Sequence, residues 1–331
     1  MVMRKLLFVG NLTLDDIVHA DGRVQMGVGG GNGLFSAIGA RMWGYDVSLV
    51  GVVGNDWPAE YTQTIRTHGI DTRYLRSVDS ENLRAWVLYE NDGRRTYVAR
   101  NSELVALRPN VYDDATLVPA SLERFGQMVR ELHLRMSPTP DLVTDMNADA
   151  IHICPMRFET MSAWSSHLSQ YPRLFTTADM FPISLQEKIN RSGLISFLSG
   201  LDIFLPSISE AKLLQAGDGD LLSLCRELVA YGPDAIVIKD GARGAYVYER
   251  GNNQLQHVPA FSASLIDSTG AGDAFCGGYL AGISSTGDPF QAALWGTVSA
   301  SFIVEAYGGL HGLTVMPENA NERLESLKKM I

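Results

Sequence analysis

The sequence predicts an α/β protein built on a largely parallel sheet covered by helices on both faces. Three observations carry the prediction. Short β-branched runs alternate with helical stretches, apolar residues make up 46% against 19% charged, and no low-complexity tract interrupts the 331 residues. A chain of this size accommodates one large domain or two ordinary ones.

In chain order, KLLFVG reads as a first buried strand ending at Gly10, and GLFSAIGARMWG as the helix that follows. VSLVGVVG, AIHICP, DIFLP and AIVIKDG read as further strands, with AEYTQTIRTHG as a helix between the first two. Loops at the carboxyl ends of such strands are where chemistry is expected. Two segments, TLDDIVHADGRVQMGV and LRAWVLYENDGRRTYVARN, alternate polar with apolar residues around the turn signals Asp21-Gly22 and Asn91-Asp92-Gly93. They read either as surface hairpins or as one small sheet, spanning about 11–30 and 84–103, that stands off the main domain as a lid. Within 105–149, RPNVYDDATLVP is loop-like, SLERFGQMVRELHLRM has helical periodicity and SPTPD breaks it; no chemistry is legible there. From Pro317 the tail reads as an amphipathic helix with lysines near its end, where the helix dipole favours them.

Composition narrows the function classes. A formal charge of -10 and a pI near 5.2 disfavour nucleic acid or an anionic membrane as partner, so an anionic ligand needs local donors. Cys154, Cys225 and Cys276 are too few and scattered for a disulfide framework or a CxxC zinc site, and reduced, packed thiols are expected. The N-terminal apolar stretch is too short for a signal peptide, and no run reaches the ~18 to 20 apolar residues of a membrane span, so the cytoplasm is the expected location. A GxxxxGK[ST] loop, a GxGxxG turn opening the first helix, HExxH and GxSxG are all absent.

The densest chemical signal is ASLIDSTGAGDAFCGGYLAGISS. An apolar strand end leads through Asp267 to the small residues Gly270, Ala271 and Gly272, then to Asp273 and a glycine-rich helix. Small residues let backbone approach a ligand, and the free amides of a first helical turn suit phosphate oxygens. Asp273 is therefore either a proton-handling acid beside an anion site or an acid that favours the helix dipole. Gly277, Gly278 and Gly282 each cost roughly 1 kcal/mol against alanine in an exposed helix, which close packing against the sheet or a ligand would offset.

The run DSTGAGDAFCGGYLAG resembles the C-terminal signature of the ribokinase-like, or PfkB, carbohydrate and nucleoside kinases. The resemblance implies a three-layer ribokinase-like fold with a central, mostly parallel sheet and a small β-sheet lid. It also implies ATP-dependent phosphoryl transfer to a hydroxyl of a small sugar-like or nucleoside-like alcohol. Asp273 then takes the hydroxyl proton, the amides of Gly270, Ala271 and Gly272 form an anion hole, and Asp267 helps hold a monovalent-cation loop, with K+ as the candidate ion. Phosphoryl transfer asks mainly for alignment, charge neutralisation and one oriented base, which this set supplies.

Further matches extend the resemblance over nearly the whole chain apart from 105–149. GVGGGNGLFSAIGARMWG occupies the place of the family's double-glycine region and assigns Gly30, Gly31 and Asn32 to the acceptor; Phe35 stands where the family commonly carries asparagine. Asp15 falls where the family binds acceptor hydroxyls through a carboxylate, a group that accepts two hydroxyl hydrogens at once, whereas a solvated hairpin acid is the other reading for Asp15 and Asp16. Glu210 matches the glutamate of the NxxE element that places hydrated Mg2+, with Ser207 in place of the asparagine. Lys239, Gly241 and Gly244 match the turn beside the nucleotide, Lys239 standing either near phosphate or in solvent, and Ser299 lies on the helix bordering the adenine pocket. Asp56, in the family's VGxDxxG region, is read as structural.

The expected partners are thus ATP and a small alcohol, with no nucleic acid or membrane, and the exposed edges of lid strands allow a homodimer. The competing reading, raised by Phe35 and Ser207, is a relative with weakened catalysis that acts as a small-molecule-binding or regulatory protein.

Overall fold

The computed structural model describes residues 5–19, 22–89, 95–100, 131–180, 190–215 and 219–331. Nine strands form one sheet in the order β13-β12-β11-β10-β9-β8-β1-β4-β5, and four form a second in the order β3-β2-β6-β7. In the large sheet these are β1 (Lys5–Val9), β4 (Asp46–Val53), β5 (Ile70–Ser77), β8 (Ala150–Ile153), β9 (Phe175–Ala178), β10 (Ile203–Phe204), β11 (Ala235–Lys239), β12 (Ala245–Glu249) and β13 (Gln256–Val258). Pairing is parallel from β5 through β11, and β12 and β13 add an antiparallel edge. The chain leaves β1 to one side for β4 and later returns to its other side for β8, so the strand order reverses at β1. In sheets of this kind ligands bind outside the carboxyl ends of the strands near such a reversal.

Period-2 alternation within β1 shows how the sheet is covered. Leu6 and Phe8 enter one buried cluster, while Leu7 and Val9 enter another on the opposite face. Along the described residues the helices are α1 (Asn32–Arg41), α2 (Ala59–Thr67), α3 (Phe158–Leu168), α4 (Arg191–Leu198), α5 (Ile208–Leu214), α6 (Leu221–Val229), α7 (Ala271–Thr286), α8 (Pro289–Ile303) and α9 (Pro317–Lys328). Leu34 of α1, Tyr279 of α7, Val298 of α8 and Leu324 of α9 fill the first cluster; Trp164 of α3, Phe197 of α4 and Leu228 of α6 fill the second. Helix α9 starts at Pro317 and ends in lysine, as its sequence predicts.

The small sheet consists of β2 (Thr13–Val18), β3 (Val24–Gly30), β6 (Leu83–Tyr89) and β7 (Arg95–Arg100). Both hairpins are antiparallel, and β2 pairs with β6 in parallel to join them into one sheet. Residues 20–21, 90–94 and 101–103 of the expected lid, among them Asp21 and the Asn91-Asp92-Gly93 turn signal, the loop reading over 108–119, and most of the helical reading over 121–136 lie outside the described residues; 131–136 are helical.

Four strands of the large sheet, β5, β9, β12 and β13, escape the alternation read from sequence, and the apolar run expected as a strand end before Asp267 has no regular secondary structure. In β5 the segment IDTRYLRS is an edge strand whose outer half is exposed, so polar residues dilute its apolar pattern. β9 has only four residues, two of them threonine.

The glycines of α7 pack against helices rather than against the sheet or a ligand. A Cβ on Gly277 would lie 1.8 Å from the carbonyl oxygen of Ser36 in α1, and one on Gly278 would lie 2.2 Å from Ser299 Oγ in α8. From the α1 side, a Cβ on Gly39 would stand 2.2 Å from the Ala274 carbonyl oxygen. These helices therefore touch backbone to backbone, closer than ordinary side-chain-mediated packing allows.

A change of sign tests that account. Helix propensity alone makes Gly277→Ala stabilising by roughly 1 kcal/mol, whereas overpacking costs about 1–3 kcal/mol. The expected outcome is a lower midpoint of urea unfolding at unchanged slope; a higher midpoint would show that the contact does not constrain the helix.

Candidate active site

Residues singled out in the sequence gather at the carboxyl ends of β1, β8, β9 and β11. At the end of β1, Asn32 Oδ1 accepts from Asn11 N (2.8 Å), and Asn32 Nδ2 donates to the Pro155 carbonyl oxygen (2.6 Å). Asn32 thereby ties the start of α1 to the ends of β1 and β8, and both ends of its amide are engaged by main chain. Gly31, at φ 99°, is the N-cap of α1. A Cβ on Gly30 would strike the carboxylate of Asp15, 2.1 Å from Oδ2, so the glycine makes room for that acid.

Asp15 sits on β2, opposite Val28 of β3 and Ala85 of β6, and is 4% exposed. Burial pushes its carboxyl up to about 7; a hydrogen bond with Thr13 opposes the shift, and the charges of Asp267 and Asp16 add to it. Asp16 is not a solvated hairpin acid. It is fully buried, and its Oδ1 accepts from Gly27 N (2.8 Å) and from Arg84 (3.2 Å), because a carboxylate taken out of water needs such donors. Asp56 Oδ2 lies 3.8 Å from the same guanidinium, and Asp56 Oδ1 accepts from Asn82 N, a structural role as read from sequence.

The GAGD turn faces this group. Gly270, at φ 76°, is the N-cap of α7 with no side-chain cap, so the amides of the first helical turn are not occupied by a capping side chain. Asp273 occupies that first turn, half-buried, and its carbonyl oxygen accepts from Ser36 Oγ (3.0 Å). Phe35 is 1% exposed and lies beneath the turn; a Cβ on Gly270 would fall 2.2 Å from its ring. The departure from asparagine therefore makes this residue a packing support for the turn.

Asp267 Oδ1 accepts from Thr269 N (2.9 Å) and from the hydroxyl of Tyr89, which reaches across from β6. Tyr89 stacks on His19 with ring centroids 4.9 Å apart, and His19 meets Tyr307 edge-on at 5.1 Å. Asp267 Oδ2 is buried without a hydrogen-bond partner among the described residues. An orphaned carboxylate oxygen is costly unless a cation or donor meets it, so the acid fits a monovalent cation.

Lys239 is buried rather than solvated. Its Nζ pairs with Asp179, lies 3.4 Å from Cys276 Sγ, and stands 3.8 Å from where a Cβ on Gly272 would be. Burial alone would lower the lysine pKa, but Asp179 outweighs it and raises the pKa; burial lifts Asp179 only to about 6 because Lys239 opposes it. Both groups are therefore charged at neutral pH. Asp179 is a residue that sequence reasoning missed: its only signal is an acid directly after the four-residue strand FTTA.

Glu210 and Ser207 form a capping box at the start of α5, with Glu210 Oε2 accepting from Ser207 N (2.7 Å) and Ser207 Oγ accepting from Glu210 N (3.4 Å). Serine thus supplies the helix start, and one carboxylate oxygen of half-buried Glu210 makes that contact. Among the described residues, no group of three or more His, Cys, Asp or Glu is placed to hold a metal ion directly. The second carboxylate oxygen of Glu210 suits a water bound to magnesium rather than the ion itself.

A cavity of about 500 Å³ opens beside the turn. Lys239, Gly241, Gly244, Ala271 and Gly272 line one side, and Phe261 with Thr297, Ala300, Ser301 and Val304 lines the other. Ser299 does not line it: fully buried, its Oγ accepts from Trp43 Nε1 (2.8 Å) and donates to the Gly39 carbonyl oxygen (2.9 Å). On the helical period its neighbours Ala300 and Ser301 face the cavity while Ser299 faces α1. Two other cavities, of about 250 and 660 Å³, lie at the amino ends of the strands, the wrong end for this chemistry.

The GAGD turn thus lies beside a cavity at the carboxyl end of a largely parallel sheet, the place where ligands bind in such folds. The family model described as pfkB family carbohydrate kinase matches residues 7–154 and 177–315, and the chain belongs to that family. It is 26% identical over 283 residues to a cytidine kinase of Thermococcus kodakarensis, covering 85% of this chain and 89% of the relative. It is 25% identical over 294 residues to a fructokinase of Klebsiella pneumoniae, covering 87% of each. The solved structure of Burkholderia thailandensis nucleoside kinase in complex with ADP-inosine superposes with a TM-score of 0.72 at 17% identity, over 98% of this chain and 95% of that one. Among the described residues no helix is long and apolar enough to cross a membrane.

The raised pKa of Asp15 has a stability consequence. Its folded value of about 7 lies above the ordinary 3.8, so the folded state holds a proton that the unfolded chain has released. Between those values the wild type loses stability as pH rises, by at most about 1.4 kcal/mol per pH unit, and Asp15→Asn does not. Denaturant titrations of both proteins from pH 4 to about pH 7 should show the variant gaining on the wild type; a constant difference would place the Asp15 carboxyl at its ordinary pKa.

Proposed function

We propose that this kinase transfers the γ-phosphoryl group of ATP to a hydroxyl of a small sugar-like or nucleoside-like alcohol, with Asp273 as the base. The observation that carries the reading is the position of Asp273 in the first turn of an uncapped helix. One side of its turn lines the 500 Å³ cavity, and Asp267 links the other side, electrostatically and through Tyr89, to Asp15 and the small sheet. ATP occupies that cavity, and the acceptor lies between the small sheet, acting as a lid, and Asp273.

Asp15 and the backbone at Gly30 and Gly31 hold the acceptor, the carboxylate accepting hydroxyl hydrogens; Asn32 supports them by fixing the end of β1. Asp273 takes the proton of the attacking hydroxyl as its oxygen bonds to the γ-phosphorus and the bond to ADP breaks. The amides of Gly270 and Gly272 receive the charge of the transferring group, while that of Ala271 donates to the Ser268 carbonyl oxygen (3.3 Å), and Lys239, paired with Asp179, forms the floor beneath Gly272. Magnesium, when bound, supplies neutralisation of the phosphate charge; Glu210 would hold it through water, and Asp267 Oδ2 would take the monovalent cation. The names of the cytidine kinase and fructokinase relatives support a nucleoside or sugar as acceptor, and the ADP complex of the solved nucleoside kinase supports an adenine nucleotide as donor. Phe35 and Ser207, the departures that suggested a non-catalytic relative, each have a packing or capping role that leaves Asp273 and Glu210 in place.

A panel of pentoses, hexoses and nucleosides assayed for ADP release identifies the acceptor, and Asp273→Asn is then expected to lower kcat by about 10² to 10⁴-fold with the fold intact. Near-normal turnover in that variant would assign the base elsewhere. Because Asp15 binds as a carboxylate, KM for the acceptor should fall as pH rises through about 7 in the wild type and stay level in Asp15→Asn.

A further inference from the structure

The loop after β13, from Pro259 to Ile266, has no regular secondary structure, yet its Phe261 forms part of the cavity wall. Such a loop keeps its position only if something outside it holds it. Arg323, from the middle of α9, is placed to do so. Its guanidinium carbon lies 5.3 Å from the centroid of Phe261 and 3.6 Å from that of Phe302 on α8. One nitrogen donates to Ser301 Oγ (3.0 Å) and another pairs with Glu305 (2.7 Å). A planar fork of donors with aromatic-facing surfaces satisfies all four partners at once, which a lysine does not. Glu305 neutralises the charge, so the group does not serve as a phosphate clamp.

The bond to Ser301 has a second effect. Ser301 Oγ donates its hydrogen to the Val298 carbonyl oxygen (2.7 Å) and accepts from Arg323 (3.0 Å), which leaves one lone pair and no hydrogen for a ligand. Ser301 lines the cavity, so its hydroxyl presents only an acceptor there. We propose that Arg323 is a positioning residue of the nucleotide cavity, fixing the wall at Phe261 and the acceptor at Ser301, and that this selects a base with an exocyclic amine over one with a carbonyl in that place. The inference rests on the reading of the 500 Å³ cavity as the nucleotide site.

ADP and GDP serve as probes by isothermal titration, with no acceptor needed. Arg323→Ala is expected to weaken ADP about tenfold, the worth of one well-placed hydrogen bond, and to narrow the ADP-to-GDP ratio. Arg323→Lys, which keeps a donor but loses the planar contacts, falls between. Ser301→Ala, which leaves the helix intact, weakens ADP and spares GDP, so the inference stays testable where Arg323→Ala folds poorly. Wild-type affinities and an unchanged ratio in Arg323→Ala and Ser301→Ala overturn the proposal, as does a loss of melting temperature with no change in the ratio. Ala300→Trp, which fills the cavity, separates the two readings. If it abolishes ADP binding while Arg323→Ala and Ser301→Ala bind as wild type, the cavity stands and the role of Arg323 falls. If ADP binds Ala300→Trp normally, the cavity is not the nucleotide site and both readings fall.

Discussion

The contact between α1 and α7 is the constraint on which the site depends. Helices normally approach to 8–10 Å through their side chains, but here glycines at positions 39 and 277 bring carbonyl oxygens of each helix into the surface of the other. Ser36 completes the contact with a hydrogen bond to the Asp273 backbone, and Phe35 fills the space under Gly270. The start of α1, at Gly31 and Asn32, is thereby fixed relative to the GAGD turn. The two turns belong to elements more than two hundred residues apart in the chain, and this packing sets their separation.

Electrostatics follow from the same geometry. The chain carries a net charge of -10, and Asp15, Asp16 and Asp267 are close enough to act on one another between the small sheet and the turn. The local feature of opposite sign is the helix start at Gly270, which no side chain caps, while the buried ammonium of Lys239 is offset by Asp179. Asp179 keeps that ammonium charged, since a lone buried lysine would release its proton.

Much of this was legible in the sequence because it rests on local signals. Strand and helix alternation, the polar-apolar alternation of the paired strands in the small sheet, and the helix start in the run from Asp267 to Gly282 each report on structure within a few residues. What the sequence did not disclose depends on partners distant in the chain. Asp179 acquires its role from Lys239, sixty positions away, and Asp16 is buried by Arg84. Ser299 is turned toward α1 instead of the cavity by Trp43 and Gly39. Phe35 is read as a missing polar contact until Gly270 is seen above it. In each case residue type was informative and orientation was not, because orientation is a property of tertiary packing.

The parallel join between β2 and β6 has a kinetic consequence. Its partners, Thr13–Val18 and Leu83–Tyr89, enclose β3, α1, β4, α2 and β5, so the ladder closes only after that whole intervening unit has been laid down. Loop-closure entropy makes such a non-local pairing late to form, and its contacts beyond the ladder, Arg84 with Asp56 and Tyr89 with Asp267, wait on the same closure. The small sheet is therefore completed only after the core strands that its ladder encloses, although its first strand leaves the core at the very start of the chain.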